Sequence, residues 1–105
     1  MASGRLGASD VAAATYTTVY TCPASTFAVV SINFLNRGNS STFVRLAIAD
    51  AATPTAGEFM EYDTELTPKS VLERTGIVMS AGQLLVVYSN NGNTSAVTFG
   101  IETAA

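Results

Sequence analysis

From residue 15 onward, bulky Val, Ile, Phe, Tyr and Thr side chains fall in short runs, alternating with small or polar residues and separated by Gly, Asn, Ser and Pro. Successive side chains of a strand point to opposite faces, so a period of two marks strands with one buried side. In residues 27–35, Ala28, Val30, Ile32 and Phe34 share one face, while Val29, Ser31 and Asn33 share the other. In residues 43–48, Val44, Leu46 and Ile48 face one way and Phe43, Arg45 and Ala47 the other. The polar segment Asn36-Arg37-Gly38-Asn39-Ser40-Ser41 between them predicts a hairpin, because Asn and Gly tolerate positive φ.

The same pattern predicts strands over 16–21, 58–64, 71–79, 83–90 and 96–102, with turns at Ala81-Gly82 and at Asn90-Asn91-Gly92-Asn93. Leu84 to Tyr88 is apolar on both faces and belongs at the centre of a sheet. Val97, Phe99 and Ile101 alternate with Thr98, Gly100 and Glu102, as in a strand with one wet face. Pro23, Pro54 and Pro68 fall between strands, where a missing N–H does no harm. Residues 47–57 read as a loop with at most one short helical turn, because Pro54 and Gly57 interrupt any longer helix. The expected fold is all-β: a single-domain antiparallel β-sandwich of about seven strands, jelly-roll-like or immunoglobulin-like. It occupies residues 15–105, and residues 1–14, small and poor in bulky side chains, are expected to form a flexible N-terminal arm, either a frayed terminus or a segment that orders against a neighbouring subunit with Arg5 and Leu6 as its only sizeable anchors. Deleting residues 1–10 should then leave the domain folded.

Composition narrows the function classes. The chain has 105 residues, one domain's worth, and is 48% hydrophobic and 12% charged, which argues against a disordered tail. Its net charge of −3 has the wrong sign for gripping phosphates, so nucleic acid is not an expected partner. No apolar run approaches the ~20 residues of a membrane span, no secretory pattern opens the chain, and a soluble cytoplasmic product without a membrane partner is expected. One cysteine excludes a disulfide within the chain, and the lack of His removes the usual proton shuttle and the commonest metal ligand.

Candidate chemistry is sparse. Cys22 has no histidine to activate it and reads as a structural thiol; Lys69 beside Ser70 reads as part of a turn. Glu58, Glu61, Asp63 and Glu65 form the most suggestive cluster, and on a regular strand Glu61, Asp63 and Glu65 would share a face. Such a face could hold Ca²⁺, but it lacks the Gly-containing loop of Ca²⁺ sites, and a solvated face or one pairing with arginines across a subunit contact is the better reading. The expectation is therefore a protein that is not an enzyme, with no cofactor and no metal. By parity Phe43 and Phe59 look outward, and exposed aromatics suggest a contact surface. The interface candidates are Arg5, Leu6, Arg37, Phe43, Phe59 and Glu61.

Several stretches carry a resemblance: the opening MASGRLGASD with AAATYTTVYT, then FAVVSINFLNRG, ATPTAGEFMEYDTEL, LERTGIVMSAGQLLVVYSN and the close VTFGIET. Together they resemble small virion structural proteins of the decoration type from tailed phages of marine cyanobacteria and other marine bacteria. The resemblance implies a part of the virion, made in the bacterial cytoplasm, that binds the major capsid protein or other virion proteins. It further implies a homo-oligomer, trimeric in many head decoration proteins, that bridges capsomers on the head surface. The alternative is an adhesive domain of a tail fibre, spike or baseplate that binds a host surface glycan. A groove bearing tyrosines beside the acidic strand would favour that alternative.

Overall fold

Ala28, Val30, Ile32 and Phe34 are all buried, as their alternation predicts, and they lie on one inner wall of a two-layer structure. A computed structural model describes residues 3–105. These form β1 (Ser3–Val11), β2 (Thr17–Thr21), β3 (Thr26–Asn36), β4 (Thr42–Ala49), β5 (Phe59–Leu66), β6 (Val71–Met79), β7 (Leu84–Ser89) and β8 (Thr94–Ala104). The strands make two antiparallel sheets ordered β1-β8-β3-β6 and β2-β7-β4-β5. That order, in which successive strands change layer except at β4 and β5, is a jelly roll. Val44, Leu46, Leu85 and Val87 from the second sheet meet Val30, Ile32, Phe34, Ile77 and Met79 from the first to form the core.

Three expectations need correction. In β8 the expected faces are reversed: Thr98, Gly100 and Glu102 turn inward opposite Ile32, Val30 and Ala28, and Phe99 and Ile101 are exposed. The Asn36 to Ser41 segment is not a hairpin, because β3 and β4 lie in opposite sheets and the segment crosses the end of the sandwich. The buried Asn36 side chain organises that crossing: its amide donates to the Ser40 and Leu66 carbonyls at 2.9 Å each, and its oxygen accepts from the Gly38 N–H at 2.9 Å. Among the described strands, β4 and β5 alone are both consecutive and paired, and the loop between them carries one turn of 3₁₀ helix at Ala56–Glu58.

The N-terminal segment is not a free arm. Of residues 1–14, Met1 and Ala2 lie outside the described residues, while Ser3–Val11 pairs with β8 as a full edge strand. Val11 is buried and Leu6, bulged out of register between Arg5 and Gly7, leans on the core. Gly7 permits this, since a Cβ there would overlap the Val19 carbonyl oxygen of β2. The small residues that suggested flexibility are what lets two backbones approach closely. Deletion of residues 3–10 should therefore expose the β8 edge and the core beside Val11, lowering the urea midpoint sharply or preventing refolding. An unchanged midpoint would contradict the assignment of β1 to the domain.

Candidate docking surfaces

The outer face of the β1-β8-β3-β6 sheet carries a contiguous group of apolar side chains among polar ones. Pairing places Val78, Val29 and Ile101 in one row across β6, β3 and β8, with Phe99 in the next row of β8 and Phe27 at the start of β3. All five are exposed, Val78 by 64% and Ile101 by 53%. Val97, Leu35 and Val71 continue the face toward the other end of the sheet. Scattered exposed apolar residues are ordinary, but contiguous ones mark a contact surface.

The outer face of the β2-β7-β4-β5 sheet differs in chemistry. The Arg45 guanidinium carbon lies 4.2 Å from the Tyr62 ring centroid and 4.4 Å from that of Tyr88. Its Nε and Nη2 donate to the two carboxylate oxygens of Asp63 at 2.7 and 3.3 Å, and Nη1 donates to the Tyr16 hydroxyl at 2.8 Å. Foremost through the Asp63 carboxylate, this arrangement raises the Arg45 pKa further and fixes its charge. Tyr16 also touches Tyr88 at 5.1 Å, and Phe59 meets Tyr62 edge-on at 5.0 Å. Beside this cluster runs a shallow groove of about 390 Å³ lined by Phe43, Arg45, Asp63, Tyr88 and Asn90.

The candidate interface residues do not form one site. Arg5 is exposed on β1, opposite Phe99, whereas Leu6 is half-buried against the core of its own chain. Arg37 pairs with Asp10 at the end of the sandwich. Phe43 is exposed and Phe59 half-buried, both on the outer face of the second sheet as parity indicated. Glu61 is not on that surface: it is buried between the sheets and accepts from Arg74 of β6 and from the Thr64 hydroxyl, the latter at 2.8 Å. Register shifts in β5 and the positive φ of Asp63 break the regular alternation, turning Glu61 inward and Asp63 outward to Arg45.

Glu58 instead caps the 3₁₀ turn, its carboxylate accepting the Thr55 N–H at 2.8 Å and the Asp50 N–H at 3.2 Å. These bonds, that from Thr55 foremost, hold its carboxyl below the usual range. The acidic cluster is thus dispersed, and among the described residues no three His, Cys, Asp or Glu side chains converge at metal-binding range. Absent from the candidates were Phe27, Val29, Val78, Phe99 and Ile101 on one face and Tyr16, Arg45, Tyr62 and Tyr88 on the other.

Cys22 is buried, with its thiol directed at the Thr26 and Met79 carbonyls at 3.5 and 3.8 Å. Burial pushes its pKa up, which keeps it protonated and weakly nucleophilic. Lys69 donates to the Arg37 carbonyl and Ser70 to the Thr67 carbonyl, so both serve the turn between β5 and β6. Comparison with protein-family models yields no match, and comparison with curated proteins yields none.

Tyr20, also buried, donates to Glu102 at 2.6 Å across the two sheets. Burial first, and then the Glu102 carboxylate, push its phenol well above the ordinary value. Both Tyr20 and Cys22 are therefore favoured neutral in the fold, and a raised folded-state pKa stabilises below the unfolded value and is lost as pH rises through the folded one. Unfolded thiols and phenols titrate near about 8.5 and about 10, so the urea midpoint should hold at neutral pH and fall progressively above about pH 8.5. Tyr20→Phe should flatten the part of that decline above about pH 10; an identical alkaline slope in the variant would contradict the account.

Proposed function

We propose that the chain is a structural subunit of a virus particle, of the decoration type that attaches to a phage head and works by binding other proteins. The observation that carries the reading is the contiguous apolar face of Phe27, Val29, Val78, Phe99 and Ile101, a surface that favours permanent contact over solitary life in water. The jelly roll supports it more weakly, because viral capsid domains share that fold with lectins and enzymes. A decoration subunit strengthens a shell by burying area across joints, and repetition over many copies makes modest contacts durable. The major capsid protein, or another virion protein, is the partner this mechanism requires.

A second reading, an adhesive domain of a tail fibre, spike or baseplate, draws on the groove of Phe43, Asp63, Tyr88 and Asn90 beside Tyr62 on β5. Aromatic faces with carboxylate and amide groups suit the apolar and hydroxyl sides of a sugar ring. Quantitative mass spectrometry of purified particles separates the two. A copy number comparable with that of the major capsid protein is expected. A handful of copies, with cell binding lost in Phe43→Ala and Tyr62→Ala, would favour the adhesive reading, and absence from particles would overturn both.

A further inference from the structure

Resting on the reading of the apolar sheet as a contact surface, we infer that its occupant is the same face of a second copy of this chain, in a two-fold dimer whose axis runs along the strands.

Size is the first argument. The sheet has four strands of nine, eleven, eleven and nine residues. At about 4.8 Å between strands and about 3.3 Å per residue, the face covers roughly 600 Å² in projection, more once side-chain relief is counted. A stable interface needs about 800 Å² from each partner, so the whole face matches what a dimer must bury. Two sheets stacked at about 10 Å with strands nearly aligned is also a standard way of packing such faces.

Charge placement fixes the orientation. The central strands β3 and β8 present Phe27, Val29, Ser31, Asn33 and Leu35 against Thr103, Ile101, Phe99, Val97 and Ser95, with no charge among them. The charges stand at opposite borders: Arg5 on β1, in the row of Phe99, and Glu73 on β6, in the row of Asn33 and Val97. The remaining border acid, Asp10, is already paired with Arg37.

A two-fold axis parallel to the strands lays β1 over β6 of the second copy and β8 over its β3, keeping each row at its own level. Val29 then meets Ile101 of the second copy, and the reverse contact repeats it. Glu73 of the second copy comes to within one row of Arg5 on one side and of the Asp10–Arg37 pair on the other, again twice, so that each Glu73 has two cations and one carboxylate near it. An in-plane axis across the strands would instead bring β1 over β1, gathering arginine with arginine and glutamate with glutamate. Opposite charges at the rim select orientation more than they add affinity, and here they select the first arrangement.

Sedimentation velocity on the purified full chain, from about 1 to about 100 μM, tests this. A dimer is expected, with Val29→Asp and Ile101→Asp monomeric over the same range. Both positions are exposed, so circular dichroism should show each variant folded. Arg5→Glu should weaken association about tenfold, and Arg5→Glu combined with Glu73→Arg should restore it. A wild-type monomer at the highest concentration, a trimer, a dimer indifferent to Ile101→Asp, or a charge swap without rescue would each overturn the proposal. A dimer absent from particles would refute the virion role and leave this interface standing; a monomer abundant on particles would do the reverse.

Discussion

Eleven consecutive residue pairs join β3 to β8, from Thr26 opposite Ala104 to Asn36 opposite Thr94, without a register shift. Directly opposed residues of an antiparallel pair point to the same side of the sheet, so an unbroken ladder transmits parity without error. Once Ala28, Val30, Ile32 and Phe34 face the core, Glu102, Gly100, Thr98 and Ala96 must do so as well. Ile101, Phe99 and Val97 are forced outward. The interior accepts this because the inward residues of β8 are small or satisfied: Thr98 donates to the Ser31 carbonyl at 2.8 Å, and Gly100 leaves room for the β3 backbone that a Cβ would strike. The apolar outer face is thus a consequence of the core and its longest ladder, and shifting β8 by one residue would bury Phe99 at the cost of the whole register.

The two sheets are also tied by polar groups at the margins of the core. At one end the hydroxyls of Thr42, Ser89 and Thr94 form a buried chain with steps of 2.7 and 2.9 Å, ending on the Gly92 carbonyl. Tyr20 reaches Glu102 from one sheet to the other, and Glu61 reaches Arg74 where β5 and β6 border the open side. Among the described residues no buried side-chain nitrogen or oxygen lacks a partner, which removes the penalty that buried polar atoms otherwise carry. Glu61 is buried but Arg74 is half exposed, so that ion pair does more to fix how the sheets meet than to hold them together. Apolar burial supplies the cohesion, and the polar ties select one alignment.

Local alternation made most strands legible. The predicted 71–79 is β6 to the residue, and the apolar run at Leu84 to Tyr88 lies at the centre of its sheet, between β2 and β4. What failed was information that no local window contains. Whether Asn36 to Ser41 returns to the same sheet or crosses to the other depends on the long-range pairing of β8 between β1 and β3. The residues of β1 look like a linker partly because Gly7 serves close contact with Val19 of β2, a requirement visible only once both strands are placed. Glu61 and Asp63 part company through shifts in the β4–β5 register, and a two-residue period cannot anticipate a bulge. The apolar surface did leave one trace: Phe27, Val29 and Leu35 interrupt the nominally wet side of β3. These side chains give β3 an apolar outer side beside its apolar inner one.

The two outer faces therefore solve opposite problems. On the β2-β7-β4-β5 sheet, Tyr16, Phe59, Tyr62 and Tyr88 are drawn together around Arg45, whose charge is spoken for by Asp63, so the aromatic surface is largely satisfied within its own chain. Cation–π and bidentate contacts of this kind rigidify a surface while leaving its polar edge compatible with water. The β1-β8-β3-β6 face has no such internal consumer: Val78, Ile101 and Phe99 are exposed on the outer side of their sheet, and apolar surface left in water is unfavourable. A domain whose interior is already filled has no folding reason to keep that second apolar layer. Its register along β3, β6 and β8 follows instead from the ladder that fixes the core.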